Sequence, residues 1–388
     1  MKAKILYLME YPIDLPGGGQ MSTQTLCEAL AQKTEFEPVA VCPRLLTKRA
    51  SDYPFRIVTY RSDENREQNR LRRILNFIRR IFSFYRIISA EKPDLIHVSM
   101  SESLITFGML RCIGIFSSIP FVYTDRGLAY GYRSHSKKII RATLKHAACL
   151  ITTTEFNAHL WEKESLRTPI LAIHNTIASV FEQYDPGKRT ELRTRYGFSE
   201  DDFVIGFAGR ISEEKDWDFV PVLVETLKKA GLSFKVALVI SVYEAGDLQT
   251  VSSIKEGIIR QIGEQNLLYL QDLSRDEMAD YYYLPDVFVM SSVFESFGKA
   301  AVEAMSRECP VLSTNAGGLP EVIGKEENLY SKDRTDRFVS RVESYMRDPE
   351  ERRSDGKAFR ERYLKHFTLA VHLKKHEELY RRILKQGL

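Results

Sequence analysis

The sequence predicts an α/β protein made of two doubly wound parallel-sheet domains. Three observations carry that prediction. The chain has 388 residues, enough for two domains with a hydrophobic core each. Short apolar runs that read as strands alternate with helical runs almost throughout, the pattern of parallel sheets covered on both faces. The composition, 44% hydrophobic and 28% charged, is that of a globular chain.

In chain order, residues 5–8 form the first strand. The run MKAKILYLMEYP around them is too short in apolar residues for a signal peptide. The turn that follows contains Gly17, Gly18 and Gly19, and a helix is expected over 21–32. Glycines between a first strand and a helix let backbone approach a ligand closely. Residues 38–41 and 56–59 read as strands, separated by a basic loop.

Residues 69–89 place apolar side chains at 71, 74, 75, 78, 81, 82, 85 and 88, a helical period. Arg72, Asn76, Arg79, Ser83 and Arg86 line the opposite face, and Arg73, Phe77, Arg80 and Phe84 its edge. Two readings stay open: a helix packed on the sheet with a solvated arginine face, or one lying on an anionic membrane through Arg72, Arg73, Arg79, Arg80 and Arg86.

Residues 104–123 are long enough to span a bilayer, but Arg111 near the middle costs about 2.5–3.5 kcal/mol on insertion scales. A buried helix and a strand over 121–124 are expected instead. Asp125 and Arg126 follow at that strand's end, where open α/β sheets bind ligands. Asp125 reads either as a substrate contact or as a helix cap. A second basic helix carries Arg133, Lys137, Lys138, Arg141 and Lys145. Strands at 149–153 and 170–173 complete the first domain, the latter running into His174, Asn175 and Thr176.

The second domain begins with a linker at 180–187 and strands at 203–208, 234–240, 267–270 and 286–290. Gly209 lets the chain turn after the first of these. Arg210 and Lys215 then stand five apart across a strand-to-helix turn, with a helix expected from Lys215 to Leu227. Two cations so placed can converge on a diphosphate. Helices at 335–346, 350–365 and 369–384 end the chain.

Net charge is +4, but unevenly placed. Residues 1–180 carry 25 Lys and Arg against 16 Asp and Glu, and the remainder 31 against 36. A basic first half implies an anionic surface partner. Five scattered cysteines without a C-x-x-C imply a reducing compartment and no metal or disulfide framework.

Residues 294–323, FESFGKAAVEAMSRECPVLSTNAGGLPEVI, concentrate the chemistry. A helix is expected to open at Ser296-Phe297-Gly298, with the Ser296 hydroxyl as its cap. The N–H groups of Phe297, Gly298 and Lys299 then make an anion site. Glu295 stands just before it and Glu303 about two turns into the helix. Carboxylates accept from sugar hydroxyls while amides hold oxyanions, so a nucleotide-sugar fits.

Glu295, Glu303 and the following PVLSTNAGGLPEVI resemble the donor-site signature of retaining GT-B glycosyltransferases of family 4 (glycosyl transferases group 1). The resemblance is strong over 203–323 and looser before. It implies two Rossmann-like domains facing a cleft: an acceptor-binding domain at 1–180 and a donor-binding domain at 181–368. The C-terminal helix, about 369–388, is expected to cross back to the first.

The resemblance gives Glu295 to the donor sugar and Glu303 to the ribose. Ser296, Phe297, Gly298 and Lys299 contact the sugar and diphosphate, as do Gly18 and Gly19 from the first domain. Arg210 and Lys215 match the pair that neutralises the leaving nucleoside diphosphate, so Arg210, Lys215 and Glu295 are the catalytic candidates.

Asp125, Arg126 and Asn175 are candidate acceptor or sugar contacts. Arg126 fills a slot where many relatives carry histidine, and Thr176 one where glycine is usual after Asn. The segment SVYEAGD at 241–247 and Gln271 also depart from the pattern, near where the base binds.

The expected function is retaining transfer of a sugar from a nucleotide-sugar, UDP-linked in preference to GDP-linked, to a saccharide or lipid-linked acceptor in surface polysaccharide or glycolipid synthesis. No metal and no nucleic-acid partner is expected. The expected location is cytoplasmic, extending to the inner face of the membrane. The alternatives are a nucleotide-sugar epimerase on the same fold and a non-catalytic sugar-nucleotide or membrane-binding protein.

Overall fold

The computed structural model describes residues 2–15, 17–62, 70–242 and 246–386. Residue 69, read above as the start of a helix, and the middle of the SVYEAGD segment lie outside these. The described residues divide into two compact units, one of residues 1–176 with 369–388 and the other of 177–368.

The first unit holds a seven-stranded sheet: β1 (Ala3–Leu8), β2 (Phe36–Pro43), β3 (Arg56–Tyr60), β4 (Leu95–Val98), β5 (Phe121–Asp125), β6 (Cys149–Thr152) and β7 (Ile170–Ala172). Their order is β3-β2-β1-β4-β5-β6-β7, and all pairings are parallel. Alternation along β1 fills both faces: Ile5, Tyr7 and Met9 join one core, Leu6 and Leu8 the other. The C-terminal helix Leu369–Gln386 belongs to this unit and sends Leu369, Leu373, Leu379, Tyr380 and Ile383 into its first core. Arg381 grips Glu35 with two hydrogen bonds of 2.7 and 2.9 Å.

The second unit holds β8 (Val204–Arg210), β9 (Lys235–Ser241), β10 (Leu267–Gln271), β11 (Val287–Met290), β12 (Val311–Thr314) and β13 (Leu329–Tyr330). They are ordered β10-β9-β8-β11-β12-β13 and again all parallel. Val236, Leu238 and Ile240 face one core, Ala237 and Val239 the other. Under the sheet, Arg193 and Asp286 form an ion pair at 3.1 Å with both side chains almost wholly buried. Asp286 also meets Arg189 at 2.7 Å and takes the N–H of Val204 at 2.8 Å. The two-residue β13 ends the order of this sheet.

Three local expectations are corrected. Lys215 does not open a helix: it ends a short 3₁₀ turn, Glu213–Lys215, and the helix starts at Phe219. Asp216 between them is left-handed, φ 50°, which breaks the helical run. Ser296 is not the cap of the site helix: that helix spans only Lys299–Met305, behind Gly298 at φ 94°. Glu303 is therefore one turn in.

The third correction concerns the long basic helix. Its neighbours α1 (Gly18–Lys33) and α3 (Ser101–Cys112) are regular, and α2 runs Arg70–Glu91. Along α2 the line turned to the sheet joins Phe77, Arg80 and Phe84 of the expected edge to Ile81 and Ile88 of the apolar stripe. Phe84 and Ile88 are buried, while Phe77, Arg80 and Ile81 are partly covered. The main apolar stripe stays outside: Leu71 and Phe82 are each 65% exposed, and Ile74, Leu75, Ile78 and Tyr85 are exposed beside them. The sheet face beneath is already filled by Leu104, Phe107 and Leu110 of α3 with Ile140 and Leu144. Arg80 also leaves the basic face, pairing with Glu102 at 3.2 Å.

Candidate functional site

In the second unit the strand order reverses between β8 and β11. The carboxyl ends of strands at such a switch point form a natural crevice. Arg210 ends β8, the loop after it supplies Lys215, and the loop after β11 supplies Glu295 to Gly298. Hydrogen bonds join the two loops: Val293 N–H donates to Glu214 O at 2.9 Å, and the Ser291 hydroxyl to Lys215 O at 2.7 Å.

Lys215 Nζ meets Glu295 Oε2 at 2.5 Å, the side chains 20% and 17% exposed. The lysine stem runs back over Gly209, whose missing Cβ would lie 3.8 Å from Cδ and Cε. Burial alone would raise the Glu295 pKa, but the Lys215 charge and the N–H groups of Phe297 and Gly298 pull it below the usual carboxylate range. The amides that the sequence offered to a ligand's oxyanion are thus turned on Glu295 itself. Gly298 is required there twice over: its φ is 94°, and a Cβ would meet the buried Leu319 Cδ2 at 2.5 Å. Gly318 N–H closes the arrangement by donating to Glu295 O at 2.9 Å.

Arg210 stands apart. It is 55% exposed and pairs with Glu214 at 3.1 Å, so the two cations do not share a partner. An exposed pair of this kind is worth under about 1 kcal/mol, so Arg210 can exchange Glu214 for a stronger anion. Glu303 accepts from Tyr282 Oη at 2.9 Å. Burial raises its pKa, against the pull of that hydroxyl and of Lys299 and Lys215. Tyr282 is wholly buried and was missed in the sequence, where the Tyr281-Tyr282-Tyr283 run gives no sign of which ring turns to the site. Ser296 and Lys299 flank the site, half-buried. Among the described residues, no three His, Cys, Asp or Glu side chains come together as a metal site.

The first unit brings together Gly19, Arg126 and Asn175 at the carboxyl ends of β1, β5 and β7. Arg126 Nη1 donates to Asn175 Oδ1 at 2.9 Å and Nη2 to Thr23 Oγ1 at 3.3 Å. Gly18 opens α1 with open space where a side chain would stand. Asp125 faces the other way. Its carboxylate accepts from Trp161 Nε1 at 2.5 Å, Asn157 Nδ2 at 3.0 Å, Tyr132 Oη at 2.5 Å and Gly127 N–H at 3.1 Å. It anchors the loop that carries Arg126 and is engaged within the fold. Behind it runs a buried chain that sequence reading did not find: Tyr7 Oη to Tyr380 Oη at 2.8 Å, Tyr380 to His97 Nδ1 at 2.6 Å, and His97 Nε2 to Thr124 Oγ1 at 2.7 Å.

Two family models match the chain in succession: Glycosyltransferase Family 4 over residues 16–179 and Glycosyl transferases group 1 over residues 188–362. The sulfoquinovosyl transferase SQD2 of Arabidopsis thaliana is 27% identical over 312 residues, 76% of this chain and 58% of that protein. Two further relatives are spanned over 47% and 63% of their lengths. The capsular polysaccharide biosynthesis glycosyltransferase CapM of Staphylococcus aureus is 23% identical over 314 residues, 76% of this chain and 79% of its own. In three dimensions the chain is similar to Anabaena HepE, solved in complex with UDP and glucose, with a TM-score of 0.77, 16% identity, and 98% and 99% of the two chains covered. The fold is GT-B, and the chain belongs to family 4 of the glycosyltransferases, the glycosyl transferases group 1.

Proposed function

We propose that the protein is a retaining glycosyltransferase that moves a sugar from a nucleotide-sugar, UDP-linked in preference to GDP-linked, to a hydroxyl of a saccharide or lipid-linked acceptor. The donor is assigned to the unit of residues 177–368 and the acceptor to the first unit. The observation that carries the reading is the Lys215–Glu295 pair, set against the amides of Phe297 and Gly298 at the switch point of a parallel sheet.

In this reading Glu295 engages the groups that the donor diphosphate is to take. When the donor enters, the carboxylate exchanges Lys215 and two amides for sugar hydroxyls, and the diphosphate takes the groups released. Arg210 leaves Glu214 for the same diphosphate. These groups are in place before the bond breaks, so charge on the leaving group is stabilised with little reorganisation. The diphosphate oxygen is the base assigned to the incoming hydroxyl. Ionised Glu295 suits hydrogen-bond acceptance, and Glu303 takes the ribose.

The test is a thermal-shift panel of UDP-, GDP- and ADP-sugars, followed by mass analysis of products with saccharide acceptors. Transfer from one donor is the expected result. Epimerised donor without acceptor would favour an epimerase, and binding without turnover a non-catalytic protein.

We further assign the acceptor to an anionic membrane surface. The exposed stripe Leu71, Ile74, Leu75, Ile78, Phe82 and Tyr85 is flanked by the exposed row Arg72, Arg79 and Arg86, spaced one heptad apart. Ile113, just past α3, is 72% exposed. An apolar stripe beside a basic row suits the headgroup–acyl boundary, with about 1 kcal/mol per basic residue at an anionic surface. No helix among the described residues is long and apolar enough to cross a membrane. Flotation with vesicles of anionic lipid at low salt should carry the protein upward, and the Ile78→Glu/Phe82→Glu variant should stay at the bottom. Equal flotation of both removes α2 from membrane contact.

A further inference from the structure

Arg126 is a cation without a counter-charge. Its partners, Asn175 and Thr23, are neutral and take two of its five N–H donors. Nε is buried with no partner, and among the described residues no carboxylate lies within ion-pair distance of the guanidinium. The one adjacent acid, Asp125, is fully occupied by its own donors. The phenols and thiol nearest in charge, Tyr380, Tyr123, Tyr7 and Cys27, are held neutral by burial. Burial lowers the Arg126 pKa, but only to about 10, so the charge persists at neutral pH.

Its place makes the imbalance worse. The side chain crosses the first turn of α1, where a Cβ on Gly19 would lie 3.2 Å from Arg126 Cδ. That 16-residue helix has no acidic residue in its first turn and no side-chain cap, so its positive end faces a positive charge. A guanidinium left unpaired in such a setting destabilises the fold unless an anion completes it.

We propose that Arg126 and the head of α1 form a recognition site for an acidic group, a carboxylate, sulfonate or phosphate, carried by the saccharide substrate. This rests on the glycosyltransferase reading above, which already matches the diphosphate's charges with Arg210 and Lys215. Arg126, which has no carboxylate partner of its own, calls for a further negative charge on the saccharide, carried by the transferred sugar or by the acceptor.

The test compares wild type, Arg126→Gln and Arg126→Lys by calorimetry. One arm uses UDP, UDP-glucose, UDP-glucuronate, UDP-galactose and UDP-galacturonate. The other uses nitrophenyl glucosides and glucuronides, with and without UDP. In one arm the acidic sugar should bind about tenfold or more tightly than its neutral twin, the scale of a charge-assisted contact. Arg126→Gln should erase that preference and leave UDP affinity within about twofold, while Arg126→Lys keeps part of it. The Tm of Arg126→Gln should hold or rise, because a largely covered charge with no counter-charge has been removed.

No preference for acid in either arm overturns the proposal. So does an equal loss of UDP affinity in Arg126→Gln, which would put the diphosphate at this site, or a steep fall in Tm with the preference intact. A wild type that ignores UDP but prefers glucuronides would sink the donor assignment and keep this site.

Discussion

Lys215, Glu295 and Arg210 bear differently on stability and on turnover. Arg210 is exposed and its pair with Glu214 is an i,i+4 contact, so Arg210→Ala should leave Tm unchanged. It should still lower kcat/KM by about 10²-fold, the scale of one lost oxyanion donor. Lys215→Ala should cause a similar loss and also lower Tm, because it strands a largely covered carboxylate. Adding Glu295→Gln to that variant should restore the Tm but not the rate. Glu295→Gln alone frees Lys215 and two amides from an internal anion, so UDP should bind several-fold more tightly while transfer falls. Calorimetry with UDP and initial rates with the donor separate these outcomes. Weaker UDP binding in Glu295→Gln would contradict the exchange of ligands assigned to this carboxylate.

At the scale of elements, the C-terminal helix is fastened to the first unit by groups that titrate. His376 is buried and its Nδ1 donates to His372 O at 3.0 Å. Its ring lies 6.0 Å from that of His97 and 4.4 Å from that of His372. Burial, with Arg126 and Lys375 adding like charge, pulls its pKa from 6.5 to about 4. A lowered pKa means that the unfolded chain binds the extra proton first. The neutral ring's contribution is therefore complete above pH 6.5 and is lost as pH falls toward 4, by up to about 3 kcal/mol. Wild type should lose stability over that window, and His376→Phe should flatten the curve. Denaturant melts at pH 7.5, 6 and 5 check this, and parallel curves for the two proteins would exclude His376 as the titrating group.

The same scale shows why some elements were legible and others not. Strands buried on both faces are short apolar runs whatever their neighbours, so β1, β8 and β11 could be placed to within a residue or two. The stripe on α2 was equally plain, yet periodicity does not say what covers a face. Leu104 and Phe107 had already filled the place expected for Ile74 and Ile78. The candidate site was legible in residue types, since Lys215 and Glu295 do meet. What could not be read was the turn at Gly298, which aims the Phe297 and Gly298 amides at Glu295, or the Tyr282 hydroxyl on Glu303. Both depend on loop torsions and packing that no local pattern encodes.

For the whole molecule, the chain enters the first unit twice and the second only once. The returning segment brings Leu369, Leu373, Leu379, Tyr380 and Ile383 into the first core, beside Ile5, Tyr7 and Leu26. At about 1.5–3 kcal/mol for each fully buried large side chain, those five contribute on the order of 10 kcal/mol. That is comparable to the whole stability of a domain, about 5–15 kcal/mol. Residues 177–368, by contrast, enclose both of their own cores and the Asp286 cluster. A chain ending at Thr368 should therefore lose the first unit and keep the second. Its far-UV signal should fall, protease should digest residues 1–176, and a fragment near 177–368 should survive and still bind UDP. A truncated chain whose first unit resists protease as the intact protein does would show that the C-terminal helix adds little to that core. Loss of both units together would show instead that the second unit draws its stability from the first.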